Sequence, residues 1–138
     1  MRLATPSTRS GLEHRREQSR RRRAAAPALG SLFPAVGQVS VQLRFLDEVE
    51  HSPVAQLHMV YPPAPAYFEF ACPYGDCDGA FDLNAIAREL LRDSLQSAEG
   101  TLVCPGSRTG AALTRQPCSL RAAYRITAHY EAASAPAE

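Results

Sequence analysis

The chain lacks both tryptophan and lysine, so all fifteen of its basic residues are arginine. No apolar run approaches the roughly 18 residues that a membrane-spanning helix needs, and we therefore expect no membrane span. There is no glycine-rich phosphate loop, dinucleotide-binding fingerprint or nucleophile elbow. No two cysteines stand at the C-x-x-C spacing of thioredoxin-like redox proteins. These absences leave no motif that would indicate one of the common enzyme classes.

Charge is divided unevenly along the 138 residues. Residues 1–23 contain eight arginines and two glutamates, a net charge of +6, whereas residues 24–138 contain seven arginines and twelve acidic residues, a net charge of −5. The overall composition, 45% hydrophobic and 21% charged, is ordinary for one small globular domain. The sequence therefore predicts a basic arm on an acidic body.

The basic arm is predicted to be disordered over residues 1–37, because a run of like charges repels itself and buries no apolar surface. It is interpreted as a nucleic-acid contact, as a segment for export or organellar import, or as a leader without function. We expect a cytoplasmic protein, unless the arm is a targeting segment. The arginines available for a nucleic-acid contact are Arg15, Arg16, Arg20, Arg21, Arg22 and Arg23.

Residues 38–131 are predicted to form the folded domain, followed by a frayed tail over residues 132–138. Apolar and polar residues alternate in four runs, which predicts strands: 39–45, 54–61, 67–71 and 120–130. Residues 101–104 form one more short apolar run. In the second of the alternating runs we expect Leu57 and Met59 to face the core and His58 to face solvent.

One helix is predicted between residues 82 and 100. Asp82 is a suitable N-cap, and Gly100 is suited to end the helix. The apolar residues between them fall on one helical face: Leu83, Ile86, Ala87, Leu90, Leu91 and Leu95. The predicted fold class is therefore α+β, an antiparallel sheet of four or five strands with one helix on a face and a four-cysteine zinc site.

The four cysteines occur as two pairs on either side of the predicted helix. Cys72 and Cys77 have the C-x4-C spacing of a tight metal-binding turn, and Gly75 gives this turn backbone freedom. Cys104 and Cys118 are separated by thirteen residues, so their sulfurs must meet across the mouth of a hairpin. Because zinc prefers four soft ligands in a tetrahedral arrangement, we expect these cysteines to bind one structural zinc ion.

Two arginines of the loop between the last two cysteines, Arg108 and Arg115, are predicted to lie around the ligands and offset their negative charge. Disulfides, another metal and free thiols remain open alternatives for the four cysteines. An iron–sulfur site is disfavoured because neither pair matches the ferredoxin spacings.

The stretch from Cys72 to Leu83, followed by Cys104-Pro-Gly-Ser-Arg108, resembles zinc-ribbon and zinc-knuckle proteins. More narrowly, it looks like short, poorly characterised bacterial proteins with the same C-x4-C and C-x13-C layout. It departs from the standard ribbon, which has C-x2-C in both halves. The resemblance covers about residues 67–130, and it implies a zinc-stabilised architecture without implying an activity.

The function expected from the sequence is a small, non-enzymatic zinc-binding module for protein interaction. Association with nucleic acid or ribosomes through the arginine arm is the alternative, and a cysteine redox protein is a weaker one. On the last predicted strand, Arg121 and Arg125 face away from the apolar side. They form a possible surface for an acidic partner, joined by Arg44 if the first strand lies alongside.

Overall fold

The computed structural model describes residues 8–46, 55–109 and 115–131 of the chain. Its helices are α1 (Thr8–Ala25), α2 (Leu29–Leu32) and α3 (Asn84–Arg92). Its strands are β1 (Val36–Leu46), β2 (Gln56–Val60), β3 (Glu69–Ala71), β4 (Ala80–Asp82), β5 (Ser97–Val103), β6 (Ser107–Arg108), β7 (Gln116–Pro117) and β8 (Arg121–Tyr130). The predicted tail, residues 132–138, lies outside the described residues.

Four strands form the main sheet in the order β2-β1-β8-β5, and every neighbouring pair is antiparallel. The two long central strands pair over most of their length, with Val41 opposite Ile126 and Val39 opposite Ala128. The inward side chains of β1 alternate with exposed ones, and Val41, Leu43 and Ile126 are completely buried. The predicted α+β class with an antiparallel sheet is therefore confirmed, with four strands in this sheet.

The faces of β2 are the reverse of the prediction. Val60 is buried opposite Val39, whereas Leu57 is 63% and Met59 40% exposed. His58 faces inward, where its ring stacks on that of Phe70 with centroids 4.3 Å apart. Burial, together with the positive charge of Arg23, lowers the pKa of His58. Pairing with β1 decides the orientation and overrides the hydrophobic pattern of this strand, whose more apolar face is the exposed one.

Helix α3 is shorter than predicted. It begins at Asn84, whose backbone N–H donates to the Asp82 carboxylate at 2.9 Å, and it ends at Arg92. Ser94 follows with φ 54°, and the N–H groups of Ser94 and Leu95 donate back to the carbonyls of Leu91 and Leu90. This is a Schellman ending, with serine in the left-handed position where glycine is most common.

Gly100 therefore does not end the helix and instead lies in β5, opposite Tyr124 of β8. A Cβ at Gly100 would stand 2.5 Å from the Tyr124 hydroxyl oxygen. The glycine is needed because the tyrosine ring crosses its backbone.

The arm predicted to be disordered contains regular structure in its described part, residues 8–37. Arg, Glu, Gln, Leu and Ala are good helix formers, and no proline interrupts α1. Glu17 pairs with Arg20 at 2.6 Å and with Arg21 at 3.2 Å, so ion pairs inside the helix reduce the repulsion between arginines. No helix among the described residues is long and apolar enough to cross a membrane.

The segment after α1 packs on a proline-rich stretch of the domain. Leu29 is completely buried, and its N–H donates to the Ala64 carbonyl at 2.8 Å. The Gly30 N–H donates to the Pro62 carbonyl at 3.0 Å, and the Ala66 N–H to that of Pro27 at 2.8 Å. The folded unit therefore begins well before residue 38, the predicted boundary.

Replacing Ser94 with glycine should raise the free energy of unfolding by about 1 kcal/mol, since glycine tolerates positive φ without steric cost. Ser97→Gly is the matched control. It lies three residues on, in an exposed position of β5, and should lower the same free energy because glycine weakens strands. Urea unfolding of both variants measures the difference. A destabilised Ser94→Gly variant would contradict the assigned helix ending.

Candidate metal centre

The first cysteine pair lies at the tip of the β3–β4 hairpin. Phe70 and Phe81 are paired across this hairpin, and Phe81 packs against Phe45 of β1 with ring centroids 5.9 Å apart. Beyond the strands the ladder continues, because the Cys72 N–H donates to the Gly79 carbonyl at 3.0 Å. Residues 72–79 are called the first knuckle. The apolar side chains of the hairpin thus hold this turn against the main sheet.

The second cysteine pair extends the pairing between β5 and β8. The Cys104 N–H donates to the Leu120 carbonyl at 2.9 Å, and the Cys118 N–H to the Gly106 carbonyl at 2.9 Å. Residues 104–106 and 118–120 are called the second knuckle. The small β6–β7 hairpin lies beyond it. The predicted meeting of these two cysteines across a hairpin mouth is confirmed.

The two knuckles bring all four sulfurs together. Cys72, Cys77, Cys104 and Cys118 are between 1% and 4% exposed. Their sulfurs all lie within 4.8 Å of one another, with 3.5 Å between Cys77 and Cys104 and 3.9 Å between Cys72 and Cys118. None of the four is in a disulfide. A tetrahedral ion with bonds of about 2.3 Å to sulfur holds its ligands about 3.8 Å apart, so the arrangement fits one such ion.

Each sulfur also accepts a hydrogen bond from the backbone N–H two residues further along the chain. The donors to Cys77 and Cys104 are Gly79 at 3.3 Å and Gly106 at 3.4 Å. The donors to Cys72 and Cys118 are Tyr74 and Leu120. Because an N–H stabilises a thiolate more than a thiol, these four donors favour the charge state that binds metal.

The thiols affect one another's pKa strongly. Hydrogen bonding with Cys72 is the main cause that lowers the pKa of Cys104 to about 6. Burial is the main cause that raises the pKa of Cys77 to about 12, and it also raises the pKa of Cys118. Hydrogen bonding with Cys104, and then burial, raise the pKa of Cys72. A metal ion that binds at neutral pH must therefore displace protons, so its affinity rises with pH.

Two glycines let the knuckles approach each other. A Cβ at Gly79 would stand 2.5 Å from the Cys104 sulfur and 2.7 Å from the Gly106 nitrogen. A Cβ at Gly106 would overlap the backbone of Gly79 and stand 2.8 Å from a carboxylate oxygen of Asp78. No side chain fits at either position while the four sulfurs keep their spacing.

Arg108 and Arg115 lie beside the first knuckle, and each contacts a carboxylate there. Arg108 donates to Asp76 at 2.9 Å, and its guanidinium lies over the Tyr74 ring, 3.8 Å from the centroid. Arg115 donates to Asp78 at 2.5 Å. These contacts join the β6–β7 segment to the first knuckle, and the predicted offset of thiolate charge stays a prediction.

Asp78 joins three parts of the chain. Its carboxylate accepts the Ser107 N–H at 2.8 Å and contacts Arg115 and, at 3.6 Å, Arg15 of α1. Burial alone would raise the pKa of Asp78, but the Ser107 hydrogen bond and the two arginines outweigh it and lower that pKa. Asp78 is therefore ionised at neutral pH. It links α1, the first knuckle and β6, the strand that follows residues 104–106 of the second knuckle.

The structure also places the two other predicted surfaces. Five of the six arm arginines contact polar groups of the chain, Arg20 and Arg21 within α1 and Arg15, Arg22 and Arg23 on the body. On the outer face of the sheet, Arg44 is paired with Ala123, between the levels of Arg121 and Arg125. Strand β1 therefore does lie alongside β8, and Arg125 contacts Glu99 of β5 at 2.9 Å.

Several site residues were not found from the sequence. Asp76, Asp78 and Glu69 belong to no motif in the sequence that would indicate their contacts. The sequence does indicate Gly79 and Gly106, because the same spacing occurs in both knuckles: Gly79 stands two residues after Cys77, and Gly106 two residues after Cys104. The partners of the carboxylates depend on tertiary contacts and had no local signal.

Comparison with known proteins adds no assignment, since no family model matches the chain and neither a curated protein nor a solved structure is significantly similar to it.

Gly79→Ala and Gly106→Ala should each lower the free energy of unfolding by about 1–3 kcal/mol, because the added methyl group must separate the knuckles. Both should also weaken metal binding. Gly75→Ala is the control from the same turn, since a Cβ there meets nothing within 4 Å. Thermal unfolding and metal titration of the three variants test this. Equal behaviour of Gly75→Ala and Gly79→Ala would show that the close approach does not matter.

Proposed function

We propose that the protein is a small, non-enzymatic zinc-binding module, in which one structural zinc ion joins the two knuckles. The observation that supports this most directly is the convergence of four buried sulfurs within 4.8 Å, each with a backbone N–H donor. Four buried sulfurs in one cluster need a partner, and one divalent ion that prefers sulfur ligands can bind all four at once. Zinc would be held by Cys72, Cys77, Cys104 and Cys118.

A structural role fits this ligand set better than a catalytic one. Catalytic zinc sites use three protein ligands and leave the fourth position to water or substrate. Here four cysteines fill the tetrahedron, and their burial keeps water from a fifth position. The expected contribution of the ion is to hold two hairpins together in a domain whose own core is small.

The alternative cysteine chemistries fit less well. A redox thiol must be reached by its reagent, whereas the most exposed of these cysteines is 4% accessible. In an iron–sulfur cluster the four cysteines are divided among two or four irons, so that not all four sulfurs lie as close together as the ligands of one ion. The sulfur spacing therefore favours a single ion, and zinc is the common ion in four-cysteine structural sites.

The outer face of the main sheet is the surface we propose for a protein partner. Arg44, Arg121 and Arg125 form a triangle there, and Arg121 and Arg125 are about 13 Å apart along a strand rising 3.3 Å per residue. Exposed Leu57 and Val103 lie toward the two edges of this face. Guanidinium groups bind carboxylates in pairs of hydrogen bonds, so an extended acidic segment suits this surface.

The contacts of α1 disfavour the nucleic-acid alternative. Phosphate groups would have to compete with Glu17, Glu69 and Asp78 for arginines that already contact these carboxylates. Binding to nucleic acid through Arg15, Arg22 and Arg23 would thus require these arginines to give up their contacts with the body.

The purified protein should carry one zinc ion per chain. Intact mass measured under native and denaturing conditions should differ by one zinc, and chelation should lower the melting temperature strongly, because metal binding contributes to folding. Each Cys→Ser variant should lose the ion.

A denatured mass lower by four hydrogens, with no metal in the native protein, would indicate two disulfides and contradict the proposal. Substoichiometric metal that survives mutation of any single cysteine would also contradict it. Elemental analysis of the same sample identifies the ion and separates zinc from iron.

A further inference from the structure

Helix α1 lies on the hairpin that carries the first knuckle. The Arg23 guanidinium donates to the backbone carbonyls of Tyr67 and Glu69 at 3.1 and 2.5 Å. Its carbon lies 5.0 Å from the centroid of the Tyr67 ring and 5.9 Å from that of Phe70. One arginine near the C-terminal end of α1 thus contacts the backbone and two aromatic rings of the segment that leads into Cys72.

The Glu69 carboxylate is a second attachment point. It accepts hydrogen bonds from Ser19 at 3.0 Å and from the Tyr67 hydroxyl at 2.8 Å, and Arg22 lies 3.7 Å away. The Arg22 guanidinium also donates to the Tyr67 hydroxyl at 3.0 Å. Glu69 begins β3, three residues before the first ligand.

Asp78 is the third attachment point and the nearest to the metal centre, one residue after Cys77. It contacts Arg15 of α1 at 3.6 Å while the Ser107 N–H and Arg115 hold it from the other side. Its position therefore depends on how the two knuckles are joined.

The attachment of α1 to the body is mainly polar. Among its described side chains, from Leu12 to Ala25, none is buried. Charge-assisted hydrogen bonds weaken steeply when the distance or angle between the groups changes. The docked state of α1 thus depends on the positions of Asp78, in the first knuckle, and of Glu69, in the β3–β4 hairpin that carries this knuckle.

We infer that metal binding and the docking of α1 are coupled, with Asp78 and the β3–β4 hairpin as the connection. The inference rests on the proposed zinc site. Zinc fixes the first knuckle against the second and thereby holds the carboxylates where α1 binds them. Loss of the ion releases α1 from the body, so that Arg15, Arg22 and Arg23 lose their contacts there.

Thermodynamic coupling is reciprocal: if zinc strengthens the docking of α1 by some factor, docked α1 strengthens zinc binding by the same factor, so weakening the docking must weaken zinc binding. Arg15→Gln and Arg23→Gln remove contacts with the body and lie far from the sulfur ligands in sequence. Arg21→Gln is the matched control, since Arg21 pairs with Glu17 inside α1. Zinc affinity is measured for the full chain by competition with a chromogenic chelator.

Arg15→Gln and Arg23→Gln should each bind zinc about fivefold more weakly than the wild type, at the low end of measured coupling between sites. Arg21→Gln should bind as the wild type does. If the wild type binds zinc and all three variants bind it with the same affinity, the proposed coupling is wrong, whereas the proposed zinc site is not contradicted. If the wild type binds no zinc, the proposed function itself is wrong.

Amide hydrogen exchange gives a second measurement that does not depend on mutation. On chelation, the amides of α1 should lose protection by a larger factor than those of the central strands β1 and β8, which report on the body. Unchanged protection of α1 would overturn the inference. If the body unfolds together with α1 in the metal-free protein, the affinities of the variants decide.

Discussion

The close approach of the two knuckles is the constraint on which the rest of the structure depends. Four sulfurs can lie within 4.8 Å of one another only if the backbones of Gly79 and Gly106 nearly touch. The close-packed sulfurs cannot all ionise without a cation, as the raised pKa of Cys77 and the lowered pKa of Cys104 indicate. The same crowding that makes the cluster costly without metal makes it a tight site for one ion.

The rest of the chain is arranged around this junction. The main sheet supplies one pair of cysteines from the extended ends of β5 and β8, and the β3–β4 hairpin brings the other pair, with Phe70 and Phe81 packed on the sheet. The acidic residues near the first knuckle in turn hold α1 through its arginines. The sequence has a basic arm and an acidic body, and some of these opposite charges thus pair with each other within the molecule.

The sequence predicted the parts that local pattern determines. The alternation in β1 and β8 and the pairing of the cysteines carry strong periodic or spacing signals, and the sheet and the sulfur cluster agree with them. Tertiary contacts decided the rest. The orientation of β2 follows from its pairing with β1, the end of α3 from a serine with positive φ, and the order of α1 from Glu17, Glu69 and Asp78. Net charge alone could not show that the arm had partners on its own body.

X-ray absorption at the zinc edge of the loaded protein tests the central claim most directly, because it counts and identifies the atoms bound to the metal. The account predicts four sulfur neighbours at about 2.3 Å and no lighter ligand. A coordination shell containing nitrogen or oxygen, or one with fewer than four sulfurs, would contradict a closed site formed by Cys72, Cys77, Cys104 and Cys118.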